Sequence, residues 1–84
     1  VNEEMPESGA EEILDARGLL CPMPVVKVKL AMEDLAPGQT LKVLATDPAA
    51  PRDLEVWCRE TGNRLLDSSR EDSTYTFLIQ KAGG

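Results

Sequence analysis

Apolar and polar positions alternate most cleanly near the end of the chain, in Thr74-Tyr75-Thr76-Phe77-Leu78-Ile79-Gln80-Lys81, and a period of two predicts a β-strand there. Leu41-Lys42-Val43-Leu44-Ala45 is nearly apolar throughout, the pattern of a strand with neighbours on both sides. Two shorter runs complete the set. Ile13-Leu14-Asp15-Ala16 precedes an Arg17-Gly18 turn, and Arg64-Leu65-Leu66-Asp67-Ser68 precedes the polar turn stretch 69–73. Val25-Val26-Lys27-Val28-Lys29-Leu30 carries two patterns at once, strand-like alternation and the helical spacing of Val25, Val28, Met32 and Leu35. Prolines at 22 and 24 suit a helix entry better than a paired strand, and Ala36-Pro37-Gly38 is a stop signal, so the segment is assigned as a helix over 22–35.

A second helix opens at Asp47-Pro48, read as N-cap and first helical residue, passes an irregular stretch at Pro51, and runs regularly from Arg52 to Thr61 until Gly62 closes it. Leu54, Trp57, Cys58 and Thr61 share one face of it, the face expected to meet the core. The order is therefore β-α-β-α-β-β. Both helices most economically cover one face of a four-stranded mixed sheet, which gives a two-layer α/β sandwich. Residues 1–11 read as an acidic, solvated tail and 12–84 as one folded domain.

Eighty-four residues bound a single small core, too small for a deep enclosed site. A net charge of −6 opposes tight, non-specific contact with a phosphate backbone, so the expected partners are proteins and not nucleic acid. No apolar run reaches the length of a membrane span, and the acidic start has neither the basic region nor the apolar core of a signal peptide, so a cytoplasmic setting is the expectation. Histidine is absent, which removes Cys-His nucleophile pairs and imidazole zinc sites, and two cysteines alone cannot complete a zinc tetrahedron. No metal and no organic cofactor is expected. Both cysteines, Cys21 and Cys58, are expected as free thiols.

Cys21 is the chemically suggestive residue. It stands ahead of Pro22-Met23-Pro24 at a strand-to-helix junction, where it reads as the helix N-cap. A sulfur at that place faces unpaired first-turn N–H groups and the positive end of the helix dipole, which would lower the thiol pKa. The alternative is a small buried hydrophobe that happens to precede a proline-rich helix start. Pro22 and Pro24 would stiffen the entry and fix the sulfur, while Arg17 and Lys27 are candidates for electropositive support or are simply solvated charges. Arg52 opposes the dipole near the start of the second helix and is a weak candidate for partner contact. Cys58 is read as core, against the competing idea of a resolving cysteine that closes a disulfide onto Cys21. Tyr75 and Phe77 share a strand face and are read as core too.

Leu14-Asp15, Gly18-Leu19, Cys21-Pro22-Met23-Pro24, Pro37-Gly38, Asp47-Pro48, Arg52-Asp53 and the closing aromatic strand together resemble the TusA family of small sulfur carriers, also called SirA-like or YhhP-like, over residues 13–82. The resemblance implies the same β-α-β-α-β-β sandwich, similar to the C-terminal domain of a bacterial translation initiation factor. It also implies that Cys21 accepts a sulfane sulfur as a persulfide from a cysteine desulfurase and hands it to a downstream relay protein, ultimately for 2-thiouridine in tRNA. Other members move sulfur in molybdenum-cofactor assembly or in sulfur and thiosulfate metabolism. A carrier of this kind would act as a monomer with no turnover of its own. The rival from a different class is a non-catalytic, regulatory interaction module in which Cys21 is dispensable.

Overall fold

The computed structural model describes residues 12–83; the acidic stretch 1–11 lies outside the described residues. Six elements follow in order: β1 (Glu12–Ala16), α1 (Met23–Glu33), β2 (Thr40–Ala45), α2 (Ala50–Thr61), β3 (Arg64–Glu71) and β4 (Thr74–Gln80). The strands lie side by side as β1-β2-β4-β3. β1 pairs parallel to β2, while β2 with β4 and β4 with β3 pair antiparallel, so the sheet is mixed as expected.

Alternation decides the layers. Leu41, Val43 and Ala45 of β2 are buried while Thr40, Lys42 and Leu44 are only partly so, and in β4 Phe77 and Ile79 are buried between half-buried neighbours. One sheet face is thus the core face. Val28, Met32 and Leu35 from the first helical segment, and Ala50, Leu54 and Cys58 from α2, close onto it. Tyr75 continues the aromatic row beside Phe77, ring centroids 6.3 Å apart, with the Arg70 guanidinium 5.9 Å from the Tyr75 centroid.

Three boundaries differ from the sequence reading. α1 starts at Met23 and ends at Glu33, short of the expected 22–35, because the chain tightens into i→i−3 bonds from the Asp34 and Leu35 N–H groups to the Ala31 and Met32 carbonyls. α2 has Ala49 at its N-cap and begins at Ala50, so Asp47 is not the N-cap and Pro48 is not the first helical residue. Pro51 instead takes an early helical position, where its missing N–H costs nothing. β3 runs on to Glu71, through the stretch expected to be a turn, because an edge strand needs no apolar pattern once β4 supplies the pairing. The hairpin then turns through Asp72 and Ser73, with Asp72 at φ 56, a left-handed conformation that aspartate tolerates. Gly62 ends α2 as expected, at φ 83 with its N–H on the Cys58 carbonyl.

No helix among the described residues is long and apolar enough to cross a membrane.

Candidate functional site

Parallel pairing of β1 with β2 aligns their C-terminal ends, Ala16 opposite Ala45, so the loops that leave them emerge side by side. This is the edge at which open α/β sheets present their sites. The β1–α1 loop carries Cys21, and the β2–α2 loop carries Thr46 and Asp47. Two hydrogen bonds tie one loop to the other: the Gly18 N–H donates to Thr46 Oγ1 at 2.9 Å, and the Cys21 N–H donates to Asp47 Oδ2 at 2.8 Å. Asp47 is buried, and its other oxygen accepts the Ala49 N–H at 3.3 Å, while its carbonyl accepts the Ala50 N–H at 2.9 Å. One carboxylate therefore holds both the cysteine backbone and the entry of α2. Asp47 does not cap α2 as expected, and its grip on the Cys21 backbone is a contact the sequence did not disclose.

Asp47→Ala leaves the Cys21 N–H without its partner and is expected to cost about 1–3 kcal/mol, the usual penalty for a part-buried donor left unmade. Amide hydrogen exchange at Cys21 should accelerate ahead of the core; equal protection in variant and parent would show that this bond is not what fixes the loop.

Cys21 itself is exposed, which disposes of the buried-hydrophobe alternative. It is not the N-cap. Pro22 occupies that position, with no side-chain cap, and the sulfur sits one residue further out. The first-turn donors are also fewer than the N-cap reading assumed. Pro22 and Pro24 have none, and the Met23 N–H is committed to the Leu20 carbonyl at 2.8 Å. The thiol pKa is accordingly raised, not lowered as the sequence suggested. The largest cause is hydrogen bonding to the Asp53 carboxylate, followed by desolvation and then by the negative charges of Asp53 and Asp47.

The candidate electropositive supports stand elsewhere. Arg17 is held by Asp15 through Nε–Oδ1 and Nη2–Oδ2 contacts of 2.8 and 2.9 Å, a pairing that brings the Asp15 carboxyl down to about 2. Lys27 and Arg52 are exposed on α1 and α2, and none of these three lines the depression beside the thiol. Pro22 does line it, and Pro24 is fully buried beneath, so both prolines sit where a stiffened loop is needed.

That depression is an open groove between α1 and α2. Val25, Val56 and Trp57 supply its apolar lining, and Asp53 and Glu60 its charge, with Cys21 at one end. Asp53, Val56, Trp57 and Glu60 are spaced i, i+3, i+4, i+7, one stripe of α2 flanking the buried Leu54–Cys58 stripe. The spacing was available in the sequence; Trp57 packs against the core as expected and also lines this groove. On the other side of Cys21, Leu20, Met23, Val26 and Leu30 form a run of exposed apolar side chains, the last three on one face of α1.

Cys58 is 2% exposed, within the core cluster. Burial pushes its thiol up to about 11. Its folded state thus holds a proton that the unfolded chain releases near pH 9, so this residue's contribution is complete below that pH and is lost as pH rises toward 11. Cys58→Ala is expected to cost something like 1 kcal/mol at neutral pH and to remove this alkaline component from the stability profile. Chemical denaturation of parent and variant across that range checks it, and an unchanged alkaline slope would place the titration elsewhere.

The fold and site define a small two-layer α/β protein with one exposed, backbone-anchored cysteine flanked by apolar surface. The family model for sulfurtransferase TusA matches residues 12–81, and the chain belongs to the TusA family. It is 46% identical over 69 residues to a putative sulfur carrier protein of Neisseria meningitidis serogroup A, covering 82% of this chain and 93% of that protein. The sulfur carrier protein TusA of Allochromatium vinosum is 39% identical over 72 residues, covering 86% of this chain and 95% of that one. A SirA-like protein from Desulfitobacterium hafniense shares the fold in its crystal structure, with a TM-score of 0.73 at 24% identity over 86% of this chain and 97% of that one.

Proposed function

We propose that this protein is a sulfur carrier that holds a sulfane sulfur as a persulfide on Cys21. The single observation that carries the reading is an exposed, backbone-anchored Cys21 in a chain of the TusA family, with the second cysteine buried out of reach of a partner. In the loading step the Cys21 thiolate, its proton lost to solvent, attacks the outer sulfur of a donor persulfide R–S–SH. The Cys21 Sγ–S bond forms, the donor S–S bond breaks, and the donor departs as the thiolate R–S⁻. The sulfane sulfur changes owner without net gain or loss of electrons. Delivery is the same exchange run onto a cysteine of an acceptor.

The donor on this reading is a cysteine desulfurase and the acceptor a downstream relay protein in the cytoplasm, with 2-thiouridine in tRNA as the destination. The chain's net charge of −6 supports delivery through a protein rather than directly to RNA. Expression in a carrier-deficient cell tests the destination: restored 2-thiouridine supports it. If Cys21 loads sulfur but the nucleoside stays absent, the route is instead one of sulfur and thiosulfate metabolism or of molybdenum-cofactor assembly.

A further inference from the structure

Cys21 borders a groove whose ionisable lining is all of one sign. Asp53 and Glu60 from α2 face it, Asp47 approaches the thiol from the β2–α2 loop, and α1 with its N-cap contributes only Val25 and Pro22. Beneath the charges lie Val56 and Trp57, half-buried and unpaired with any cation in the lining. An apolar floor with an acidic rim is the complement of a side-chain pair, one apolar and one cationic, on an approaching polypeptide. Neither an anionic ligand nor a nucleic acid fits that sign.

We propose that this groove receives a lysine or arginine, together with a neighbouring apolar side chain, from the protein that exchanges sulfur with Cys21, and that Asp53 ties its arrival to release of the thiol proton. The identity of the visitor as a sulfur partner rests on the sulfur-carrier reading; the chemistry of the groove does not. In the free protein the Asp53 carboxylate lines the same groove as the thiol and, with Asp47, disfavours a second negative charge beside it. A cation seated between Asp53 and Glu60 offsets that repulsion. The proton leaves to solvent, and the thiolate stands opposite the incoming sulfur only while the partner is docked. Without a partner the thiol stays protonated and inert toward stray electrophiles.

Coupling of this kind is reciprocal: a cation that favours the thiolate must bind more tightly to the thiolate form. Trp57 is the only tryptophan in the chain, so its fluorescence reports occupancy of the groove. The probe is a blocked peptide of alternating leucine and arginine, whose charge is constant across the thiol titration, with a leucine–glutamate peptide as control. We expect the arginine peptide to perturb Trp57 at millimolar concentration and to bind roughly 3- to 10-fold more tightly above the Cys21 titration than below it, the range for a nearby opposite charge at a partly exposed site. Cys21→Ser should abolish that pH step. Asp53→Asn and Glu60→Gln should each weaken the peptide, and Asp53→Asn alone should raise the iodoacetamide alkylation rate of Cys21 at neutral pH by roughly 3- to 10-fold. Equal binding of the glutamate peptide, a silent Trp57, a pH step that survives Cys21→Ser, or unchanged alkylation in Asp53→Asn would each overturn the proposal. Failure of Cys21 to load sulfur, with these results intact, would strike the carrier reading and leave the groove standing.

Discussion

Cys21→Ser is expected to fold as the parent does and to accept no sulfur at all. The side chain is exposed and contributes nothing to the core cluster, so its replacement falls among surface substitutions worth within about 0.5 kcal/mol. The backbone bond from residue 21 to Asp47 is indifferent to the side chain and should survive. A hydroxyl oxygen cannot form a persulfide, so sulfur uptake should fall to background while thermal unfolding moves by no more than a few degrees. Uptake by the serine variant would mean that another atom carries the sulfur. A collapsed fold would mean that the thiol is structural, contrary to its exposure.

Phe77→Ala should produce the largest loss of stability in the domain. Phe77 is the largest fully buried side chain, central in β4 opposite Val43 of β2 and Ser68 of β3, and it belongs to the core cluster that joins the sheet to the helices. Truncation leaves a cavity that a core of this size cannot collapse around, at a cost of about 3–5 kcal/mol. Small domains have about 5–15 kcal/mol in total, so the variant should unfold at a temperature lower by at least about 12 °C, if it folds at all. Leu78→Ala, one residue on and facing the other side of the sheet, is the control. An equal cost for Leu78→Ala would mean that the two faces have been assigned the wrong way round.

Elements with strong local signals were legible in the sequence. The alternation of β4, the continuous apolar run of β2 and the Gly62 stop are each dictated by residues within the element, and their order leaves the two-layer sandwich as the economical arrangement. β3 was only half legible. Its distal part, Ser69 to Glu71, is polar because it forms a sheet edge, and its strand geometry comes from β4 and not from its own composition. The candidate site divides in the same way. Cys21 and the two prolines could be read from spacing along the chain. The sign of the thiol pKa could not, since it is set by Asp53, by desolvation and by Asp47, groups that parallel pairing of β1 and β2 gathers at the cysteine from the start of the other helix. Local reasoning about a helix dipole had the right ingredients and missed the stronger neighbours.

Apolar exposure follows the same logic. The helical spacing of Val25, Val28, Met32 and Leu35 turns out to mark the core side of this segment, yet Met23, Val26 and Leu30 are equally apolar and exposed. On a monomer such a stripe has no folding role. Exposed apolar surface of this kind is the usual mark of an interaction site.

The most direct measurement is the intact mass of the protein, with peptide-level localisation, after incubation with a cysteine desulfurase and cysteine and then after reduction. One sulfur atom added at Cys21, absent from Cys58 and removed by a thiol reductant, is the result expected of a persulfide carrier. An unmodified Cys21, in a folded protein with a competent desulfurase, would contradict it.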